Sequence, residues 1–169
     1  LLVYTAGTTN TPKAVILNHS SFCEFALNNL EPPDPEFSEV NLLSVPLYHV
    51  AGIQTLISGI YSGRTTVIQD QFEAKNWMDL VDIHKINRVM LVPTMLKQII
   101  DNEDFDNYNF DSLKVITYGA APMPISVLKD AIIKFPNANF INAFGQTETA
   151  ATITSLGPED HKITGTEED

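Results

Sequence analysis

Short apolar runs of strand length alternate with stretches whose apolar residues recur at helical spacing, and no other property of the chain restricts its fold so strongly. The runs lie at 1–5, 14–17, 41–45, 65–69, 88–92, 114–118, 139–142 and 152–155, most of them rich in Val, Ile and Leu. Such near-continuous apolar character predicts strands buried on both faces. Between them, periodicity predicts helices over 20–30, 50–61, 75–86, 94–102 and 124–135. Asn18 is expected to cap the first, Gly63 to close the second, and Pro124 to sit in the first turn of the last. Strand, helix, strand repeats imply crossover helices on a mostly parallel sheet, which makes the fold class α/β.

A chain of 169 residues, 44% hydrophobic and 18% charged, can bury the core such a sheet needs, as one globular domain or the larger part of one. Its net charge is −11 and its ten basic residues are scattered, so it offers no electrostatic footprint for nucleic acid or anionic lipid. Cys23 has no partner for an internal disulfide and stands among apolar residues, which predicts a buried thiol. The four histidines lack zinc-ligand spacing. No apolar run is long enough for a transmembrane segment and the first residues lack a signal-peptide pattern, so the chain reads as soluble, with the cytoplasm the expected compartment. Two acidic connections, 31–39 and 101–111, read as solvated loops. The chain opens without methionine inside an apolar run and ends on Glu167-Glu168-Asp169, which reads as an internal piece of a longer protein; nothing in it bears on oligomeric state.

The stretch VYTAGTTNTPKAVILNH, residues 3–19, sets threonines, a glycine and a lysine between two apolar runs. It fails the Walker pattern: no second glycine precedes Lys13, Ala14 takes the place of the magnesium-binding hydroxyl, and a strand-like run follows instead of a helix. A different phosphate cradle fits. Thr5, Thr8, Thr9 and Thr11 supply hydroxyl donors, Gly7 lets the backbone turn and expose its amides, Asn10 tolerates positive φ, and Lys13 brings a mobile cation. Taken alone, the stretch reads equally well as a threonine-rich hairpin turn. Two further stretches add weight. NAFGQTET, residues 142–149, and YGAAPMP, residues 118–124, each follow a predicted strand, where open α/β sheets bind ligands. The small residues of the second would let a flat ring approach the backbone.

In this order and spacing the three stretches resemble the adenylate-forming superfamily of acyl-CoA synthetases, luciferases and peptide-synthetase adenylation domains. YTAGTTNTPKAV resembles the superfamily's phosphate loop, PLYHVAG at 46–52 its acyl-site motif, and FGQTE its aromatic-Gly-x-Thr-Glu motif; the likeness covers nearly the whole chain. It implies the central part of a large N-terminal adenylation domain, with the C-terminal lid domain outside residues 1–169. It also implies roles. Thr5, Gly7, Thr8, Thr9 and Lys13 would hold the β- and γ-phosphates of ATP. Ala120, Ala121 and Pro122 would line the adenine pocket, with Phe144 stacked on the base, Asn142 near its amino group and Gly145 beside the nucleotide. Thr147 would donate to the α-phosphate and Glu148 would coordinate magnesium. His49 would lie between carboxylate and nucleotide, with Val50, Ala51, Gly52 and Gly119 at the acid. One at a time, Phe144 reads more simply as a core aromatic, His49 as a turn histidine and Glu148 as a surface acid; their joint occurrence favours a site. Ala6 stands where the superfamily usually has serine, Asn10 and Ala14 replace glycines, and Phe144 replaces the commoner tyrosine, so a stiffer loop with one hydroxyl contact fewer is expected.

The chemistry implied is attack of a carboxylate on the α-phosphorus of ATP, giving an acyl-adenylate and pyrophosphate, then transfer to the thiol of coenzyme A. Lys13, His49, Thr147 and Glu148 are the residues expected to carry it, because cations and donors must offset charge at a phosphorus already ringed by negative oxygens. LYHVAGIQ contains no aspartate to pair a substrate ammonium, so a simple fatty or aromatic acid is expected rather than an amino acid. An enzyme loading a carrier protein and a catalytically silent nucleotide-binding module are the alternatives.

Overall fold

The structure, a computed structural model, describes residues 1–5, 11–36 and 38–162. The chain begins with a hairpin: β1 (Leu2–Thr5) pairs antiparallel with β2 (Lys13–Ile16), setting Thr5 opposite Lys13 at the mouth of the connecting segment. Helix α1 (His19–Asn29) follows, then β3 (Val40–Leu43), α2 (Val50–Tyr61), β4 (Thr65–Ile68), α3 (Ala74–His84), β5 (Arg88–Leu91), α4 (Pro93–Ile100), β6 (Val115–Gly119), α5 (Ile125–Lys134), β7 (Asn139–Gln146) and β8 (Ala151–Leu156). The last six strands form one sheet in the order β4-β3-β5-β6-β7-β8, parallel except where β8 runs against β7.

Alternation along the strands sorts side chains to two layers. Leu42, Val89, Leu91, Ile116, Tyr118 and Phe140 face a core completed by Trp77, Met78 and Val81 of α3, Leu96 and Ile99 of α4, and Leu128 and Ala131 of α5. Trp77, Leu42, Met78, Leu91, Leu96, Ile99 and Ile116 are fully buried, each stabilising the fold by about 1.5–3 kcal/mol relative to exposure. α2 packs on the opposite layer, against β3, β4 and β8. A left-handed residue, Lys85 at φ 50°, ends α3, and Gly63 at φ 65° turns the chain from α2 into β4.

Several expectations need correction. Cys23 is exposed, because α1 turns Phe22 and Ala26 inward and leaves Cys23 on the outer face. Asn18 precedes α1 without a side-chain cap bond, whereas Glu73 caps α3 by accepting from the amides of Lys75 at 2.9 Å and Asn76 at 2.6 Å. The strands are not all buried on both faces: β2 and β4 carry mostly exposed or half-buried residues, having no second layer over them among the described residues. The 101–111 connection is not wholly solvated, since Phe105 is buried and Phe110 packs within 5.2 Å of Phe135, ring centre to ring centre. β7 runs on to Gln146, so NAFGQ belongs to the strand, held there by its pairing with β8.

Candidate functional site

The site begins with strand order. β3 leads outward to β4, while β5, β6 and β7 extend the sheet the other way, so the winding reverses between β3 and β5. A crevice outside the carboxyl ends of such strands is where open α/β sheets bind ligands. Residues 44–49 leave β3 at that edge and His49 holds the N-cap position of α2, without a side-chain cap bond. The turn is tight: the His49 amide donates to the Pro46 carbonyl at 3.1 Å, and the His49 carbonyl accepts from Gly52 at 3.0 Å. Gly52 is buried, and a Cβ there would stand 2.3 Å from the Pro46 oxygen, which explains the glycine by packing. The His49 ring is exposed, tilted against Tyr48 at 4.6 Å between centres.

Three stretches singled out in the sequence converge on one small cluster. Val3 and Leu17 from the hairpin, Phe22 from α1, Val50 from the first turn of α2 and Ala150 from the segment after β7 bury one another. A 3₁₀ turn over Thr147–Thr149 joins β7 to β8 and packs against β2, the strand that starts at Lys13. Thr149 ties the turn by donating its hydroxyl to the Gln146 carbonyl at 2.9 Å, and Ala150 leaves it at φ 57°. Thr147 is half-buried; Glu148 is exposed and has no hydrogen-bond or ion-pair partner among the described residues. Lys13 is exposed and Thr5 half-buried. Gly7, Thr8 and Thr9, like Ala6 and Asn10, lie outside the described residues.

At the carboxyl end of β6, Gly119 pairs with Ala143 of β7 so closely that a Cβ on Gly119 would stand 2.1 Å from the Ala143 oxygen. Ala120 follows at φ 66°, a left-handed conformation that costs an alanine about 1–2 kcal/mol. Ala120, Ala121 and Pro122 are exposed along this edge. Asn142 is half-buried opposite Tyr118, and Phe144 is 62% exposed beside a bulge at Gly145. Among the described residues nothing buries the Phe144 ring as it would a core aromatic. Tyr118 hydrogen bonds His161 at 3.0 Å, and His161 Nδ1 lies 2.6 Å from the Gly157 carbonyl. A carbonyl only accepts, so Nδ1 donates there and a neutral ring leaves Nε2 to accept from the phenol. Burial raises the Tyr118 pKa above its ordinary value, which keeps that proton in place. This tie, between residues far apart in sequence, was not legible in the chain.

Between α2 and the sheet lies a cavity of ≈ 480 Å³, within the usual range for small-ligand sites. Val50, Ala51, Met90, Ile141 and Ala143 give it apolar walls, with Ala120 and Gly145 at the carboxyl-edge end. His49, Gly52, Gly119, Asn142 and Phe144 lie outside the lining. Gln54, buried in the wall, has an unpartnered Oε1. At the other end Arg64 and Arg88 donate through Nε to the same Glu39 oxygen, at 2.7 and 2.6 Å. Burial pushes the Glu39 carboxyl up, but the bonds from Arg88 and Arg64 outweigh it and hold its pKa below the ordinary value. Among the described residues no group of three or more metal-ligating side chains exists. The described side chains alone therefore build no metal cage, and Glu148 presents a single exposed carboxylate on the Thr147–Thr149 turn.

Comparison with known proteins agrees with the fold. The pattern of the AMP-binding enzyme family matches residues 1–166. The chain is 31% identical over 158 residues to 4-coumarate-CoA ligase 1 of Narcissus pseudonarcissus, covering 90% of this chain and 29% of the relative. Among solved structures, the inhibitor-bound N-terminal domain of FACL13 from Mycobacterium tuberculosis superposes with a TM-score of 0.82 at 28% identity, covering 94% of this chain and 39% of that one. o-Succinylbenzoate coenzyme A synthetase from Bacillus subtilis, in complex with ATP and magnesium, gives a TM-score of 0.78 at 26% identity, covering 94% and 32%. The chain thus spans about a third of the length of the curated relatives it matches. Among the described residues no helix is long and apolar enough to cross a membrane.

Proposed function

Because the chain belongs to the AMP-binding enzyme family, we propose that the full-length protein activates a carboxylic acid with ATP and transfers the acyl group to the thiol of coenzyme A. The observation that supports this most is the convergence of the hairpin, the start of α2 and the Thr147–Thr149 turn on one hydrophobic cluster beside a ligand-sized cavity. Acid, nucleotide and phosphates would meet there. In this reading Ala51, Met90 and Ile141 hold the acyl group, and a carboxylate emerging at the Ala120–Gly145 end faces the α-phosphorus. Thr147 donates to the α-phosphate, Thr5 and Lys13 reach the outer phosphates with Gly7, Thr8 and Thr9, and Phe144, Asn142, Ala121 and Pro122 hold adenine. His49, at the head of α2, stands between acid and nucleotide. Magnesium on Glu148 would offset phosphate charge. Closing the site against water is the task we assign to the C-terminal lid domain, outside residues 1–169. The acid is fatty or aromatic, in keeping with the apolar walls, and the cytoplasm, where ATP and coenzyme A are both present, is the proposed compartment.

The test is acid-dependent exchange of labelled pyrophosphate into ATP by the purified full-length protein, over a panel of fatty and aromatic acids. Exchange with at least one acid, followed by thioester formation on adding coenzyme A, is expected. A folded protein that exchanges with none would overturn the reading.

A further inference from the structure

The chain carries a net charge of −11, yet the only charged residues lining the cavity, among those described, are two arginines. Arg64 enters from the start of β4 and Arg88 from the start of β5. Both sit at the end away from Ala120 and Gly145, on the row of the sheet where Asn41, Arg88 and Val115 are neighbours. Their one acidic partner, Glu39, is shared: each guanidinium donates to the same oxygen through Nε alone. The Nη nitrogens of both make no hydrogen bond to any described residue, and Glu39 itself is not part of the lining. Among the described residues the cluster therefore carries one positive charge in excess, with two planar donor forks, at the end of the cavity away from Ala120 and Gly145.

A purely structural role would be met by a single arginine on Glu39. Two cations sharing one carboxylate leave half of the positive charge without an acidic partner among the described residues, and a further anion would supply one. Adding one carboxylate would bring the cluster to neutrality and occupy the unused Nη donors. From Val115 to Gly119, the strand rises by about 13 Å, which sets the distance from the guanidinium row to the edge where an acyl carboxylate would meet the nucleotide.

We propose that the acid taken by this cavity carries a second anionic group at its far end: an α,ω-dicarboxylic acid, or an aromatic acid with a distal carboxylate, anchored by Arg64 and Arg88 with its two ends about 13 Å apart. This deepens the acid-activation reading and rests on it for which end reacts. Anchoring by a charged pair would favour a dicarboxylate over its matched monoacid by about tenfold to a hundredfold.

The experiment uses the full-length protein and the matched probes decanoate, sebacate and monomethyl sebacate, with two readouts. Thermal shift without ATP reports binding; pyrophosphate exchange reports activation. Sebacate should raise the melting temperature most and give the highest kcat/KM, and Arg88→Gln should bring the ratio of sebacate to decanoate kcat/KM down to about one, with Arg88→Lys restoring part of the preference. Turnover of decanoate and sebacate with equal kcat/KM, or a preference unchanged in Arg88→Gln, overturns the inference while the acid-activation reading stands. A sebacate shift abolished by Arg88→Gln without any exchange keeps the anionic anchor and overturns the activation reading instead. Neither shift nor exchange overturns both.

Discussion

Replacing Gly119 by alanine would ask whether β6 and β7 hold the two sides of the site as one rigid edge. The added methyl would stand 2.1 Å from the Ala143 carbonyl oxygen and 3.2 Å from its carbon, whereas ordinary contact begins at 3.4 Å. The obstacle is backbone inside a ladder, so no side-chain rotation relieves it. The strands must part by more than an ångström, or the Gly119–Ala143 pairing must be lost. Overpacking of this kind costs about 1–3 kcal/mol, and because nothing near the methyl can swing aside, a value of about 2–3 kcal/mol is expected. The same displacement moves Ala120 relative to Gly145, and a misplacement of about 1 Å among reacting groups costs about a hundredfold in rate. Gly59→Ala is the matched control: its methyl meets the Thr66 hydroxyl at 2.9 Å, and that unpaired group can rotate. Alanine is also favoured over glycine inside a helix by about 1 kcal/mol, so this variant should melt at or above the parent temperature. Thermal unfolding and acid-dependent pyrophosphate exchange, run side by side on the full-length protein and both variants, supply the answer. A Gly119→Ala variant with the parent's melting temperature and kcat/KM would refute the reasoning.

Three other outcomes are expected. Glu148→Gln keeps size and hydrogen bonding but removes a free carboxylate, so exchange at limiting magnesium should fall by about 10²–10³-fold; unchanged activity would make the residue a surface acid. Glu39→Gln should cost about 2 kcal/mol by denaturant melting, below the figure for fully buried pairs because Arg88 keeps a third of its side-chain exposure. Since the folded Glu39 pKa lies below its ordinary 4.5, that stabilisation is complete above the ordinary value and fades as pH falls through the folded one; the stability gap between parent and variant should therefore close in acid, and a gap independent of pH would contradict the assignment. At Ala120, held at φ 66°, valine should destabilise by more than about 1 kcal/mol while glycine stays within about 1 kcal/mol of the parent, with thermal melts as the check.

Local signals carried the layout. The helix spans from periodicity agree with α1 to α5 to within a few residues, and α2 was placed at its observed bounds because apolar spacing and Gly63 both mark it. What escaped was long-range. The extension of β7 through Phe144 exists because β8 pairs with it, and no property of residues 143–146 alone announces that partner. Phe105 and Phe110 sat in an acidic stretch whose charge concealed that both rings turn onto Phe135. Nothing in the sequence joins Glu39 to Arg64 and Arg88, which lie 25 and 49 positions away; parallel pairing sets their strands side by side. The site motifs were visible as composition; their mutual placement depended on the cluster of Val3, Leu17, Phe22, Val50 and Ala150, five ordinary apolar residues with nothing to mark them.

That cluster makes α2 difficult to transplant. Val50 stands one residue from His49 and also touches the packing that positions the Lys13 strand and the Thr147–Thr149 turn. An engineer exchanging α2 for that of a relative would also be altering the packing that seats the hairpin and the Thr147–Thr149 turn. Substitutions at Val50 should then need compensating changes at Val3, Leu17 or Phe22, residues remote in the chain and outside the cavity lining. A library that varies the other lining residues while holding Val50, Val3, Leu17 and Phe22 fixed should return more active variants than one that imports the helix whole.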